Sequence, residues 1–320
     1  MRYYIGIDIG GTKIATLIAT EKMEIIDRVE FPTSGTPTPT KAIEKIIENI
    51  DNQLKKYQIN EENIISLGIS CGGPLSSKRG LIMSPPNLPN WDNVEIVKIF
   101  EERYGRKTYL QNDANACALA EWKKGAGKGY ENIIFLTFGT GMGAGLILNG
   151  KLYTGIDDMA GEVGHIRLED NGPVGFGKVG SFEGFCSGGG IARLGKSIVE
   201  EKVKDGYDGK LKKLVEENKL TTKDIAIEGR LGDKVALEIL DISAEKLGKG
   251  LSILIDILNP EAIVIGSIYT RAEDLFKGKM EEVLKRETLS ISLNRCEILK
   301  AKLGEKIGDY GALFTATGEY

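Results

Sequence analysis

The chain has 320 residues, which at roughly 100–200 residues per domain allows two domains, each able to bury a sizeable core. Apolar residues make up 41% and charged residues 28%, a balance that excludes a disordered chain, and the net charge of −4 speaks against a general nucleic-acid binder. Glycine is the outlier, 41 of 320 residues without a Gly-X-Y period, so the glycines must serve turns and close backbone approaches.

In chain order, Tyr3–Ile9 reads as a strand, Gly10-Gly11-Thr12-Lys13 as a turn, and Ile14–Ala19 and Glu24–Phe31 as two more strands of a meander. After a Pro/Thr loop, Thr40 is placed to cap a helix carrying Ile43, Ile46, Ile47, Ile50 and Leu54 at helical spacing. Ile64–Ser70 is an apolar strand ending at Cys71-Gly72-Gly73-Pro74, and a Pro/Asn loop over 84–90 precedes a helix from about Asn93. Thr108–Gln111 is a short strand and Ala114–Lys123 a helix directly after it. Ile133–Phe138, a turn at Gly139-Thr140-Gly141, and Gly143–Leu148 then repeat the opening hairpin, with Gly10 meeting Gly139 and Ile5 meeting Ile134 at an offset of 139 − 10 = 129. That offset is too long for a solenoid and suggests two similar domains. Helix is expected over Ser181–Leu194, 233–258, 274–284 and 309–317, with strands at Ala262–Ile265 and Glu297–Leu299. Alternating strand and helix in both halves means α/β layers.

Cys71, Cys117, Cys186 and Cys296 form no CxxC pair, as expected of reduced thiols in the cytosol. With His165 as the sole histidine, a zinc site of four Cys/His ligands is not expected. The N-terminus shows no signal-peptide pattern and no stretch approaches roughly 18 apolar residues, so the expected location is the cytoplasm, with no membrane partner.

Gly6 to Gly11 has Walker A spacing, but Thr-Lys follows where Lys-Thr belongs, and the pattern continues as strand rather than helix. A P-loop is therefore rejected. A glycine turn between strands still offers backbone N–H groups to an anion, with Thr12 adding a hydroxyl and Lys13 a charge. Asp8 at the strand end can hold Mg²⁺, usually through water. The second turn, Gly139-Thr140-Gly141-Met142-Gly143, offers the same chemistry without the carboxylate. Either turn could also be an ordinary hairpin turn. Asn112-Asp113 ends a strand and opens a helix, which fits an N-cap as well as a base at a strand end. Glu162 and His165 lie in a glycine-rich run expected to lead into a strand, and Glu183 opens an apolar helix as a first-turn acid or as a ligand group. Asn87 and Trp91 sit in the Pro-rich loop. Convergent carboxylates and amides suit a polyhydroxylated ligand.

Together these segments resemble the ROK family of repressors, open reading frames and kinases, which contains bacterial-type glucokinases. The resemblance spans almost the whole chain and rests on Asp8-Ile9-Gly10-Gly11-Thr12-Lys13, Asn87-Leu88-Pro89 with Trp91, Asn112-Asp113-Ala114-Asn115-Ala116, Gly139–Gly143 and Ala160-Gly161-Glu162-Val163-Gly164-His165, in family order. It implies the actin/hexokinase/Hsp70-like (ribonuclease H-like) fold, two α/β domains around a cleft, each with a mixed five-stranded sheet. The expected N-terminal domain is 1–117 with 306–320, and the C-terminal domain is 118–305. The resemblance further implies that both turns bind the phosphates of ATP, that Asp113 is the general base, and that Asn112, Glu162, His165 and Glu183 bind sugar hydroxyls, helped by Gly73 and Asn87. Gly266 would lie near the adenosine, with Ser267 where the family usually has a second glycine. A homodimer or higher homo-oligomer is implied as well.

Two departures stand out. Val174, Phe176 and Ser181 occupy the places of the zinc-binding cysteines of many relatives, so no zinc is expected and apolar packing of Val174 and Phe176 is expected instead. Asp157-Asp158 replace a small Asn-Gly-type pair. The reading is an ATP-dependent hexose kinase using Mg²⁺, with glucose and its 6-hydroxyl as the default. The residues distinguish neither among hexoses nor between ATP and polyphosphate. The rivals are a non-sugar ATPase of the same superfold and a sugar-sensing repressor-type protein. The family's repressors carry a DNA-binding helix-turn-helix ahead of the first strand, for which Tyr3 leaves no expected room.

Overall fold

A computed structural model describes residues 1–320. The elements in chain order are β1 (Tyr3–Ile9), β2 (Lys13–Thr20), β3 (Ile25–Pro32), α1 (Pro39–Lys56), β4 (Ile64–Cys71), β5 (Leu75–Ser76), β6 (Leu81–Ile82), α2 (Ile96–Tyr104), β7 (Thr108–Asn112) and α3 (Asp113–Lys124). They continue as β8 (Ile133–Phe138), β9 (Met142–Leu148), β10 (Lys151–Tyr153), β11 (Val174–Gly175), β12 (Lys178–Val179), α4 (Phe182–Cys186), α5 (Gly188–Lys204), α6 (Lys210–Glu216), α7 (Thr222–Arg230) and α8 (Lys234–Leu258). The chain ends with β13 (Ala262–Ile265), α9 (Ile268–Glu287), α10 (Ser290–Leu293), β14 (Glu297–Lys300) and α11 (Ile307–Ala316). No helix is long and apolar enough to cross a membrane.

Two five-stranded mixed sheets, in the orders β3-β2-β1-β4-β7 and β10-β9-β8-β13-β14, carry the architecture. The chain divides into two compact units: Met1–Glu131 with Gly145–Ala160 and Lys302–Tyr320, and Asn132–Ala144 with Gly161–Ala301. The expected boundary at 117/118 falls inside α3, which stays whole in the first unit. Its fully buried Glu121 fixes it there by accepting N–H bonds from Ala126, Lys302 and Leu303 at 2.7–2.9 Å.

In the first unit, side chains alternate across β1. Ile5, Ile7 and Ile9 face one way and join Ile46 and Ile50 of α1, Ile69 of β4 and Phe100 of α2 in one core. Gly6 faces the other way, and Gly68 of β4 is its register partner. The two glycines form a bare floor on which α11 lies: a Cβ at Gly68 would stand 2.2 Å from Ala312 O, and one at Gly6 3.2 Å from Leu313. Asp8 shares the face of Gly6, so α11 delivers its N-terminal turn to Asp8. The parallel strands β1, β4 and β7 end in register at Ile9, Cys71 and Asn112, and this edge presents Gly10, Gly72 and Asp113.

In the second unit, α4, α5, α7 and α9 pack on α8. Asp233 caps α8 through Ala236 N, and Asn259 in the left-handed conformation ends it, as its sequence signals predict. Phe138 of β8 meets Phe276 of α9 edge-on at 5.4 Å.

Several local expectations need correction. Thr38, not Thr40, caps α1, because Pro39 takes the first helical position. The helix expected over Ser181–Leu194 is two helices broken at Ser187, whose hydroxyl caps α5 through Gly190 N. Val163–His165 form a 3-10 turn rather than the start of a strand. Val174 and Phe176 do not pack as a substitute for a metal: they are 41% and 75% exposed, on a two-strand hairpin. Ser181, by contrast, is buried and caps α4 through Gly184 N.

Candidate active site

The first turn is shaped by backbone hydrogen bonds. Gly10 N–H donates to Lys13 O at 3.0 Å, and Thr33 Oγ1 donates to Gly10 O at 2.7 Å. Gly11 is dictated by a close approach, since a Cβ there would lie 2.7 Å from Asn87 Cβ and 2.8 Å from Asn87 O. The Asn87 loop is thus seated directly on the first turn. Trp91 is buried in the core below that loop. Lys13 is not free, because its ammonium sits 2.9 Å from Glu30.

Asn112 and Asp113 divide their labour. Asn112 Oδ1 accepts from Ala114 N at 2.8 Å and Asn115 N at 3.3 Å, so Asn112 is the N-cap. Asp113 Oδ1 accepts from Ala114 N at 2.8 Å, while its Oδ2 faces Gly72, where a Cβ would stand 4.0 Å away. A Cβ at Gly73 would approach Asn112 Nδ2 at 3.2 Å, so Gly73 keeps that amide accessible. Asp113 is exposed as a residue. The protein crowded around it nevertheless leaves little bulk water, and this desolvation raises its pKa against the lowering effect of the Ala114 and Asp113 backbone N–H groups.

Asp8 stands nearby. Burial first, then the Asp309 and Asp113 carboxylates, push its pKa up to about 6. Asp309, in the first turn of α11, was not singled out in the sequence. It is buried and held by Arg28, whose Nε lies 2.9 Å from both carboxylate oxygens. Gly308 is also dictated by this site, since a Cβ there would stand 2.6 Å from Asp8 Oδ2. No group of three or more His, Cys, Asp or Glu side chains could hold a metal ion alone. The neighbouring carboxylates of Asp8 and Asp113 nevertheless fit a divalent cation that draws its other ligands from phosphate and water, as Mg²⁺ does.

The second turn lies in the other unit. Gly139 N–H donates to Gly141 O at 3.1 Å, Gly143 N–H to Thr137 Oγ1 at 3.0 Å, and Met142 N–H to Glu183 Oε2 at 3.0 Å. Thr140 and Gly141 keep N–H groups that an anion can use. Glu183 therefore sits under the second turn, with Oε2 occupied and Oε1 left over. Gly188 N–H, at the start of α5, donates to Gly139 O at 2.7 Å. Gly266 ends β13 and packs on Phe135. Ser267 has φ +53° and ψ −110°, a conformation natural to glycine, with its hydroxyl beside Gly139.

Two glycines bring Glu162 and His165 to the same neighbourhood. Gly161 has φ +93°, and a Cβ there would meet Ala144 O at 2.0 Å; one at Gly164 would meet Met142 O at 2.2 Å. The turn carrying Glu162 and His165 is thus pressed on the start of β9, leaving both side chains exposed. Asp158, in the first unit, is a structural acid: it is buried with φ +64°, and Ser77 N and Oγ donate to it at 2.8 and 2.6 Å. Asp157 is exposed.

With two mixed α/β sheets, each opened by a glycine hairpin, the class is that of the actin/hexokinase fold. The ROK family profile matches residues 4–319. A glucokinase of Halalkalibacterium halodurans is 32% identical over 316 residues, 97% of this chain and 93% of that protein. A xylose repressor of Caldicellulosiruptor bescii is 29% identical, over 94% of this chain and 75% of that protein. The crystal structure of a ROK family glucokinase from Streptomyces griseus in complex with glucose and AMPPNP superposes with a TM-score of 0.74 at 29% identity, covering 99% of both chains. The chain belongs to the ROK family.

Proposed function

We propose that this protein transfers the γ-phosphate of ATP to the 6-hydroxyl of a hexose, glucose foremost, with Asp113 as general base. The enzyme class is hexose kinase. The observation that carries the mechanism is the division between Asn112 and Asp113. Asn112 caps α3 through Ala114 N and Asn115 N, Asp113 shares only the Ala114 N–H through Oδ1, and Oδ2 is left toward Gly72 on a carboxyl of raised affinity for protons. A sugar hydroxyl is a poor proton donor, and a carboxylate of raised pKa within hydrogen-bond reach is the base it needs.

In this reading the N–H groups of the two turns bind the phosphates of ATP, from Gly10, Gly11 and Thr12 in one unit and Gly139, Thr140 and Gly141 in the other. Lys13 reaches phosphate only by leaving Glu30. Asn112, Asn87, Glu162, His165 and Glu183 hold sugar hydroxyls, beside Gly73, and Gly266 lies near the adenosine. Asp8 holds Mg²⁺ through water, and the ion, when bound, offsets charge on the transferring phosphoryl group. A homodimer or higher oligomer, tested by light scattering, belongs to the same proposal by likeness.

The test is a coupled assay of ADP release with MgATP and a panel of free hexoses. A strong response to glucose supports the full reading, and a stronger one to another hexose corrects the substrate. A folded protein that binds ATP and phosphorylates no sugar overturns it in favour of a non-sugar ATPase.

A further inference from the structure

The turn bearing Glu162 and His165 begins a long excursion that ends at Glu183, and its hairpin β11–β12 lies against α4 at Gly175, where a Cβ would stand 2.4 Å from Gly184 N. Val174, Phe176 and Val179 on that hairpin are exposed and hold nothing down. The excursion is instead tied to itself by backbone bonds: Leu168 N and Glu169 N donate to Gly180 O at 2.8 and 3.1 Å, and Phe182 N donates to Ile166 O at 2.7 Å. Lys178 Nζ donates to His165 O at 2.7 Å. These bonds make the segment a unit and tie Ile166, at the start of its 166–170 limb, to the first residue of α4.

One side chain of that limb reaches further, to α8. Glu169 Oε1 accepts from Lys246 Nζ at 2.6 Å and Lys249 Nζ at 2.8 Å, both on α8. Glu245 supports the pair, 3.1 Å from Lys246 and 3.6 Å from Lys249. Lys246 is buried, with its ammonium 5.6 Å from the centre of the Phe185 ring. A buried ammonium is kept only where carboxylates and a ring face meet it. Gly180 permits the geometry, because a Cβ there would strike Glu169 O at 1.9 Å.

We infer that Glu169, gripped by Lys246 and Lys249, is a positioning residue that sets the Glu162–His165 turn for sugar binding. The inference rests on the sugar-kinase reading for its effect on catalysis, but not for its effect on structure. The two ammonium groups hold the Glu169 carboxyl down to about 2, so the clamp is fully ionised throughout the neutral range. The folded-state pKa lies below the unfolded value, so its contribution is present above about pH 4 and lost only as pH falls toward 2.

The test compares wild type with Glu169→Gln and Glu169→Asp in steady-state kinetics and in hydrogen exchange of the 162–181 segment. In Glu169→Gln, KM for the sugar is expected to rise about fivefold, with kcat and KM for MgATP within about twofold of wild type. Glu169→Asp, which keeps the charge, should recover at least half of that change. Exchange over 162–170 should quicken in Glu169→Gln and not elsewhere. An unchanged sugar KM in a folded Glu169→Gln overturns the inference, and so does an equal rise in both KM values. If wild type phosphorylates no sugar, the functional reading fails instead, and exchange decides the clamp: unchanged protection in Glu169→Gln overturns it. Should Glu169→Gln not fold, Lys249→Met, on the more exposed of the two lysines, takes its place with the same expected split.

Discussion

At the end of β1 the chain places Asp8 before Gly10, and at the matching place in β8 it places Thr137 before Gly139. The first turn consequently stands among the carboxylates of Asp8, Asp113 and Asp309, and burial first, then Asp309 and Asp113, raises the pKa of Asp8. At the second turn, Thr137 satisfies Gly143 N–H and Glu183 satisfies Met142 N–H, so the nearest carboxylate is spent on the backbone. One hairpin design thus has two settings: a first turn among three carboxylates, and a second turn whose neighbouring carboxylate accepts from the backbone. The strand-end residue separates them. A desolvated carboxylate beside others of like charge costs stability, and it persists where a ligand's charge can offset it.

The comparison breaks most sharply at Asp113. Asp113→Ala should lower kcat by about 10²–10⁴ with the fold intact, because Asn112 already caps α3. Turnover in the coupled assay checks this, and near-wild-type kcat would remove Asp113 as the base. Beside the second turn, Gly161→Ala should destabilise the protein by about 3 kcal/mol or more, since its Cβ would sit 2.0 Å from Ala144 O at a positive φ. Urea unfolding measures the loss.

Asp8→Asn sharpens the acidic side. The Asp8 pKa rises from 3.8 to about 6 on folding, so the folded state keeps a proton that the unfolded state releases. Stability of the ligand-free protein therefore falls as pH rises between those values and is level above them. Asp8→Asn should stabilise the ligand-free protein at pH 7 by about 1–3 kcal/mol while weakening catalysis. If its urea midpoint matched wild type at pH 7, the crowding of charge at β1 would be wrong. The smallest effect belongs to Ser267→Gly, which should stabilise by about 1 kcal/mol by relieving φ +53°. A midpoint at or below that of wild type would mean that the Ser267 hydroxyl contributes more than the strain costs.

Much of this molecule is set by local pattern. Alternation in β1, the Asp233 cap and Asn259 stop of α8, and the strand that follows the first glycine turn are decided within a few residues, so the sequence alone yields the two-sheet α/β reading and rejects a P-loop. Motif order alone likewise brings Asp8, Asn112-Asp113, Glu162, His165 and both turns forward as candidates. What the sequence cannot carry is proximity between distant segments. Only the folded chain brings Asn87 onto Gly11, Gly308 and Asp309 onto Asp8, and Glu183 beneath Met142. Val174 and Phe176 look like core by composition and lie exposed, whereas Glu169, an unremarked charge, ties their segment to α8. Side-chain type reports a residue's own preference for water. Whether a glycine gap, a carboxylate or an ammonium from elsewhere meets it depends on close-packed layers, and those exist only after the sheets and helices have docked.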